Sequence, residues 1–164
     1  MTPEVIGFWV LAITLVGSAL GVVLTRNLFH SVLWLALGLV STAGIFLLLD
    51  AEFIAAVQVL LYAGGVITVV VFAIVVTEKL VGEKISHTSK RLAGGASVAA
   101  LLFAMVASVI QRAGLDLARP VVTGDPTRLI GLSLLTKYLL PFELLGVLLL
   151  AGLIGASYFA RPED

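Results

Sequence analysis

"LLYAGGVITVVVFAIVV", residues 60–76, is apolar at almost every position, yet near its start it sets a tyrosine beside two adjacent glycines. A bilayer core about 30 Å thick is crossed by about 20 helical residues, so the run belongs to a membrane span. Glycine weakens a helix by about 1 kcal/mol relative to alanine. Two readings of Gly64 and Gly65 follow. One is a packing notch under a neighbouring helix, since small residues let membrane helices approach closely. The other is a helix soft enough to hold a π-bulge, in which one extra residue is inserted into a turn. Converting that bulge to regular helix would rotate everything downstream by about 100°. Tyr62 or Phe72 would then swing into or out of a water path. Tyr62 also admits the plainer role of a phenol that finds one hydrogen-bond partner in a helix interface.

The 164 residues are 60% apolar and only 12% charged, with a mean hydropathy of +1.17. Soluble domains carry about 25% charged residues. A chain this poor in charge has too little polar surface for water and reads as an integral membrane protein, organised as a single membrane domain over 1–164. Ten basic and ten acidic side chains cancel, leaving no net field to attract nucleic acid. The absence of cysteine removes iron–sulfur ligation and disulfides from this chain, and His30 and His87, its two histidines, fall at or outside span ends. No metal or cofactor site is expected.

Five stretches qualify as spans: 5–24, 31–49, 53–77, 92–110 and 139–160. The fold class is therefore all-α with five transmembrane helices, the third carrying a π-bulge. Residues 78–91 read as a solvated polar loop. After the turn signal "TGDP" at 123–126, "TRLIGLSLLTKYLL" at 127–140 suits a short interfacial helix before the fifth span. Pro141 fits a first helical turn, with Glu143 close behind, where the helix dipole favours a carboxylate. Arg26, four residues of the 78–91 loop and Arg161 fall on one side. Arg112, Arg119, Arg128 and Lys137 fall on the other. The excess of basic residues places the N-terminus outside and the C-terminus in the cytoplasm. The N-terminal run is too long for a signal peptide and reads as a retained first span in a bacterial inner membrane.

No span holds an ionisable side chain near its centre. Such groups mark proton relays and ion sites, so this chain alone cannot relay protons by titration. The polar inventory at depth is Gln58, Tyr62 and Thr68 in the third span, Ser41 and Thr42 in the second, and Ser18 in the first. Gly17 with Gly21, and Gly152 with Ala156, have the four-residue spacing of helix-packing faces. Glu143 reads either as a solvated carboxylate at a helix start or as a proton-path or partner contact. Asp50 and Glu52 read as the polar turn between the second and third spans.

The segment "LLLDAEFIAAVQVLLYAGGVITVVVFAIVV", residues 47–76, resembles the third-span signature of NADH-quinone oxidoreductase subunit J, the bacterial counterpart of mitochondrial NADH dehydrogenase subunit 6. Asp50, Glu52, Phe53, Gln58, Tyr62, Gly64 and Phe72 match in order. Residues 130–160 are similar to the family's last span through Gly131, Tyr138, Pro141, Phe142, Glu143 and Gly155-Ala156. Gly65 departs from the alanine common after the motif glycine, which keeps a bulge possible but moves where it sits. The resemblance implies a core membrane-arm subunit of a complex I-type, proton-pumping oxidoreductase, with no catalytic centre of its own. It implies small membrane and antiporter-like subunits as partners, and quinone, FMN and iron–sulfur clusters held by other subunits. It points to Tyr62, Gly64 and Phe72, with Gly65 and Gln58 adjacent, as a gate on a water path. Two other classes remain: a purely structural subunit of the same complex, and a freestanding small transporter, against which the missing intramembrane charge and the lack of an internal repeat weigh.

Overall fold

Asn27 starts the second helix earlier than hydropathy suggests. Its side-chain oxygen accepts from the backbone N–H groups of Phe29 at 2.9 Å and His30 at 3.3 Å. These are two of the donors that a helix start leaves without partners. Helix α2 accordingly runs Leu28–Leu48, three residues ahead of the expected Ser31. Helix α1, Pro3–Leu24, opens on Pro3, whose missing N–H costs nothing in a first turn. The structure is a computed structural model that describes residues 2–81, 92–113 and 125–160. The polar loop expected over 78–91, and the part of the "TGDP" turn at 123–124, lie outside the described residues for the most part.

The third span is one rod in three pieces: α3, Glu52–Val57, a π-helical segment, Gln58–Val66, and α4, Ile67–Val81. Then come α5, Leu92–Arg112, α6, Pro126–Leu135, and α7, Leu139–Phe159. Five helices, with the third counted as one, are long and apolar enough to cross a membrane. Each expected span is found, with ends that differ by a few residues.

The chain divides into two units, Met1–Leu117 and Ala118–Asp164. In the first, α1 and α2 form an antiparallel pair, and their contacts run in opposite numerical order. Gly7 lies under Leu48, Gly44 under Leu11, Gly38 against Ser18, and Gly21 under the ring of Trp34. A methyl on Gly44 would stand 2.8 Å from Leu11, one on Gly38 2.9 Å from Ser18 Oγ, and one on Gly21 2.5 Å from Trp34. Packing, not water exclusion, holds helices together in lipid, so these notches set how closely the pair can approach. Gly17, the other member of the "GSALG" pair, has nothing within 4 Å. Ser18 and Ser41 are buried in this seam. Their hydroxyls donate to Leu15 O and Leu37 O, each 2.8–2.9 Å away, so neither is stranded.

The turns are closed as tightly as the seam. Ser31 Oγ donates across the first turn to Val22 O at 2.8 Å, taking up a carbonyl left over at the end of α1. At the second turn, Asp50 N–H reaches Leu47 O and Ala51 N–H reaches Phe46 O, at 3.1 and 2.9 Å. That pair of bonds is a Schellman motif, and Asp50 is its left-handed residue, with φ 57°. The polar turn expected at Asp50 and Glu52 thus has a defined geometry.

In the second unit, Asp125 caps α6 by accepting from Thr127 N–H at 2.9 Å, with Pro126 in the first helical position. The helix stops at Leu135, short of Thr136 and Lys137, which the sequence pattern places at helical spacing. Thr136 has φ −124° and ψ −78°, outside helical values. Tyr138 N–H folds back to Ser133 O at 2.8 Å. Pro141 sits in the first turn of α7, as expected, and α6 packs on α7.

Three substitutions check this account in the full chain by unfolding in mixed detergent micelles. Gly38→Leu, which overfills the α1–α2 seam, should cost about 1–3 kcal/mol, whereas Gly17→Leu should leave stability unchanged. Asp50→Gly should stabilise the chain by about 0.5–1 kcal/mol, because glycine adopts the left-handed region without steric cost.

Candidate functional site

At the far end of the π segment, Ile67 N–H donates to Tyr62 O, five residues back rather than four. The residues on either side have ordinary helical angles, with φ −59° and ψ −43° at Val57 and φ −61° and ψ −41° at Ile67. The rod therefore passes through the wide turns without a break. Gln58, Tyr62, Gly64 and Gly65 all lie inside this segment, and Phe72 lies beyond it in α4.

The glycines have a local explanation. A β-carbon on Gly64 would stand 3.3 Å from the carbonyl oxygen of Val59, five residues back. A β-carbon on Gly65 would meet Leu60 O at 3.7 Å, an ordinary contact. Gly64 is thus the position where a side chain strains the wide turn, and Gly65 is the tolerant one. The hydroxyl of Thr68 donates back to the carbonyl of Gly64. Among the described residues, neither glycine lies under a neighbouring side chain; both are exposed. Within the described residues, the packing-notch reading therefore has no partner, and the soft-helix reading has a π-helix.

The insertion also sets which residues face α2, against which all three pieces of the rod pack. Ala55 and Ile67, one on each side of the π segment, are the buried residues of the third span among the described residues, at 2% and 6% exposure. In an unbroken α-helix, residues this far apart point about 120° away from each other. Absorbing one extra residue in the wide turns brings them to within about 20°. Both can then face α2. In a regular helix Val66, now half exposed, would take the place of Ile67, and every later residue would turn with it.

The candidate side chains lie on the uncovered surface. Tyr62 is 50% exposed and Phe72 68% exposed, while Gln58 is half-buried. Glu143 is exposed in α7, in the other unit. Sequence reasoning missed Ala55 and Ile67. Their signal is a break in helical period across residues 55–67, hidden because nearly every residue there is apolar. No cluster of histidine, cysteine or carboxylate side chains fit to hold a metal occurs among the described residues.

The model of one family, NADH-ubiquinone/plastoquinone oxidoreductase chain 6, matches residues 18–159, and so takes in the π segment. The chain belongs to that family. It is 38% identical over 161 residues to the NAD(P)H-quinone oxidoreductase chain 6 of Leptolyngbya boryana, covering 98% of this chain and 81% of that one. The chain 6 protein of a Nostoc strain is 37% identical over 166 residues, covering 98% and 80%. The chloroplastic subunit 6 of Mesostigma viride is 39% identical over 153 residues, covering 92% and 80%. The resemblance drawn from the two span motifs is thereby established along nearly the whole chain. For this chain 6 family member, the π segment is the feature that sets the third helix apart from the other spans.

The difference between the two glycines is open to measurement. Gly64→Ala should favour the regular helix by about 1 kcal/mol, moving the Ile67 N–H bond from Tyr62 O to Ala63 O, whereas Gly65→Ala should leave it in place. A density map of each variant, read for whether Val66 or Ile67 faces α2, decides the matter.

Proposed function

We propose that this chain is a core membrane-arm subunit that helps couple quinone reduction to proton translocation, through a third span with two registers. As a chain 6 family member it is a multi-pass membrane subunit of an NAD(P)H-quinone oxidoreductase complex. The complex uses quinone; FMN and iron–sulfur clusters belong to its other subunits. This chain brings no acid to the centre of any span. Its part is mechanical: the π segment is the observation that carries the reading.

In the π register Ile67 faces α2, and Tyr62 and Phe72 face away from this chain. In the regular register α4 turns by about 100°, Val66 replaces Ile67, and Phe72 points elsewhere. A water file between neighbouring antiporter-like subunits and the quinone end would be open in one register and blocked by Phe72 in the other. The phenol of Tyr62 offers that file a donor and an acceptor without carrying charge. Glu143, on the second unit, is assigned separately to a partner contact or a proton path. With the N-terminus outside and the C-terminus in the cytoplasm, the π segment falls in the outer half of the third span.

The scale is compatible with a gate. Moving one charge across about 150 mV costs about 3.5 kcal/mol. Two registers separated by a few kcal/mol are switched by a differential interaction of that size. The two registers differ in packing, in the crowding at Gly64 and in which carbonyl takes the Ile67 N–H.

The test is made in the assembled enzyme. Gly64→Val and Tyr62→Phe should each lower the number of protons moved per electron several-fold, with assembly and quinone reduction retained. Normal stoichiometry in both variants removes the gate. Loss of assembly, without a change in pumping per assembled complex, assigns the chain a purely structural part.

A further inference from the structure

The two hydrogen-bond patterns of the third span do not join without a remainder. Ile67 N–H donates to Tyr62 O, five residues back, and so leaves Ala63 O, the acceptor it would take in a regular helix. Ile67 also opens α4, and the regular four-residue step takes Thr68 N–H to Gly64 O. Between these two steps Ala63 O receives no N–H from the described third span. Wherever five-residue pairing gives way to four-residue pairing, there is one carbonyl more than there are N–H groups. Ala63 lies near the middle of the span Glu52–Thr77, at a depth where hydrocarbon gives a bare carbonyl nothing to pair with. The next carbonyl along the chain, Gly64 O, accepts the hydroxyl of Thr68. That hydroxyl has spent its one hydrogen and keeps acceptor lone pairs. Thr68, Gly64 and Gly65 are exposed and Ala63 is half-buried. Beyond their chain neighbours, no side chain among the described residues comes within 4 Å of where a β-carbon on either glycine would stand.

We propose that Ala63 O binds one water molecule, which donates one hydrogen to that carbonyl and the other to the hydroxyl oxygen of Thr68. Water inside a protein is held where polar groups lack other partners and where several of them converge. Here one acceptor has lost its N–H, and a second sits on the very next carbonyl. A water carries two hydrogens, one for each, whereas a hydroxyl side chain carries one. It also fits over bare glycine backbone, where a lipid tail would leave both acceptors unpaired. In the regular register Ile67 N–H takes Ala63 O, and the water loses its main partner. The site itself needs only the π pairing; its part in switching rests on the gate proposed above. On that reading, the change of register also decides whether this point of the span is hydrated.

The experiment is a density map of the assembled enzyme at a resolution that shows waters. One water should stand about 2.5–3.0 Å from Ala63 O and as far from the Thr68 hydroxyl oxygen. Thr68→Val, which keeps the branched shape and removes the acceptor, should lose that water, and Thr68→Ser should keep it. In Gly64→Ala the water should be gone wherever Ile67 N–H has moved to Ala63 O. A resolved Ala63 carbonyl with no water beside it in the π register overturns the proposal, and this result needs no variant to fold. So does a side-chain donor from a neighbouring subunit seated on that carbonyl, or a water that persists in Thr68→Val. A water found in place, together with normal proton stoichiometry in Gly64→Val and Tyr62→Phe, keeps the site and removes only the gate.

Discussion

In hydrocarbon a backbone N–H has no water to turn to, so each one must find a carbonyl within the chain. That constraint explains how the third span can depart from the regular helix at all. A π-helical segment keeps its N–H groups paired and merely moves the acceptor one residue back, as Ile67 to Tyr62 shows. Its cost is a wider turn and a closer carbonyl, which Gly64 accommodates beside Val59 O. The same constraint governs the hydroxyls. Thr14, Ser41, Thr42 and Thr77 each donate to the carbonyl four residues earlier. The span ends obey it as well, through the Asn27 cap, the Ser31–Val22 bond and the motif around Asp50.

From that pairing rule follows a division within the first unit. The α1–α2 pair is locked by notches in which one helix seats side chains of the other, at Gly21, Gly38 and Gly44. Such contacts do not slide, because any shift strands a side chain against backbone. The third span instead lies against α2 through Ala55 and Ile67, with the π segment between them holding no buried residue. Ala55, at 2% exposure, fixes the start of the rod. The part beyond the wide turns is anchored in the described residues by Ile67 alone among buried side chains. A change of register would therefore move α4 and leave α3 and the α1–α2 pair where they are.

Much of this was legible in the sequence, for reasons that also explain what was not. Length and hydropathy found all five spans, because a bilayer imposes the same apolar length on each. Two adjacent glycines in an apolar run signalled a soft helix, and a π-helix lies there. Spacing alone could not separate Gly17 from Gly21. The pair looks symmetric in sequence, yet Trp34 sits over one and nothing over the other. Sequence places the α2 start late because Leu28, Phe29 and His30 follow a polar turn, and only the cap geometry of Asn27 shows that they are already helical. Ala55 and Ile67 were invisible for a different reason. In a span where almost every residue is apolar, hydrophobic periodicity carries no phase, so a one-residue insertion leaves no trace in it.

The exposure of Tyr62 carries the last step. A phenol at span depth that meets only hydrocarbon forfeits its hydrogen bonds, at a cost of several kcal/mol on transfer scales. The described residues cover only half of Tyr62. In the arrangement proposed for the assembled complex, a neighbouring subunit or water between subunits supplies the polar partner that makes the position tolerable. The absence of central carboxylates and the presence of an outward phenol on a deformable rod are then two sides of one arrangement. A fixed charge on a span that turns by about 100° would have to be desolvated again at each turn. A neutral hydroxyl does not, and so an element free to turn is better built without charge.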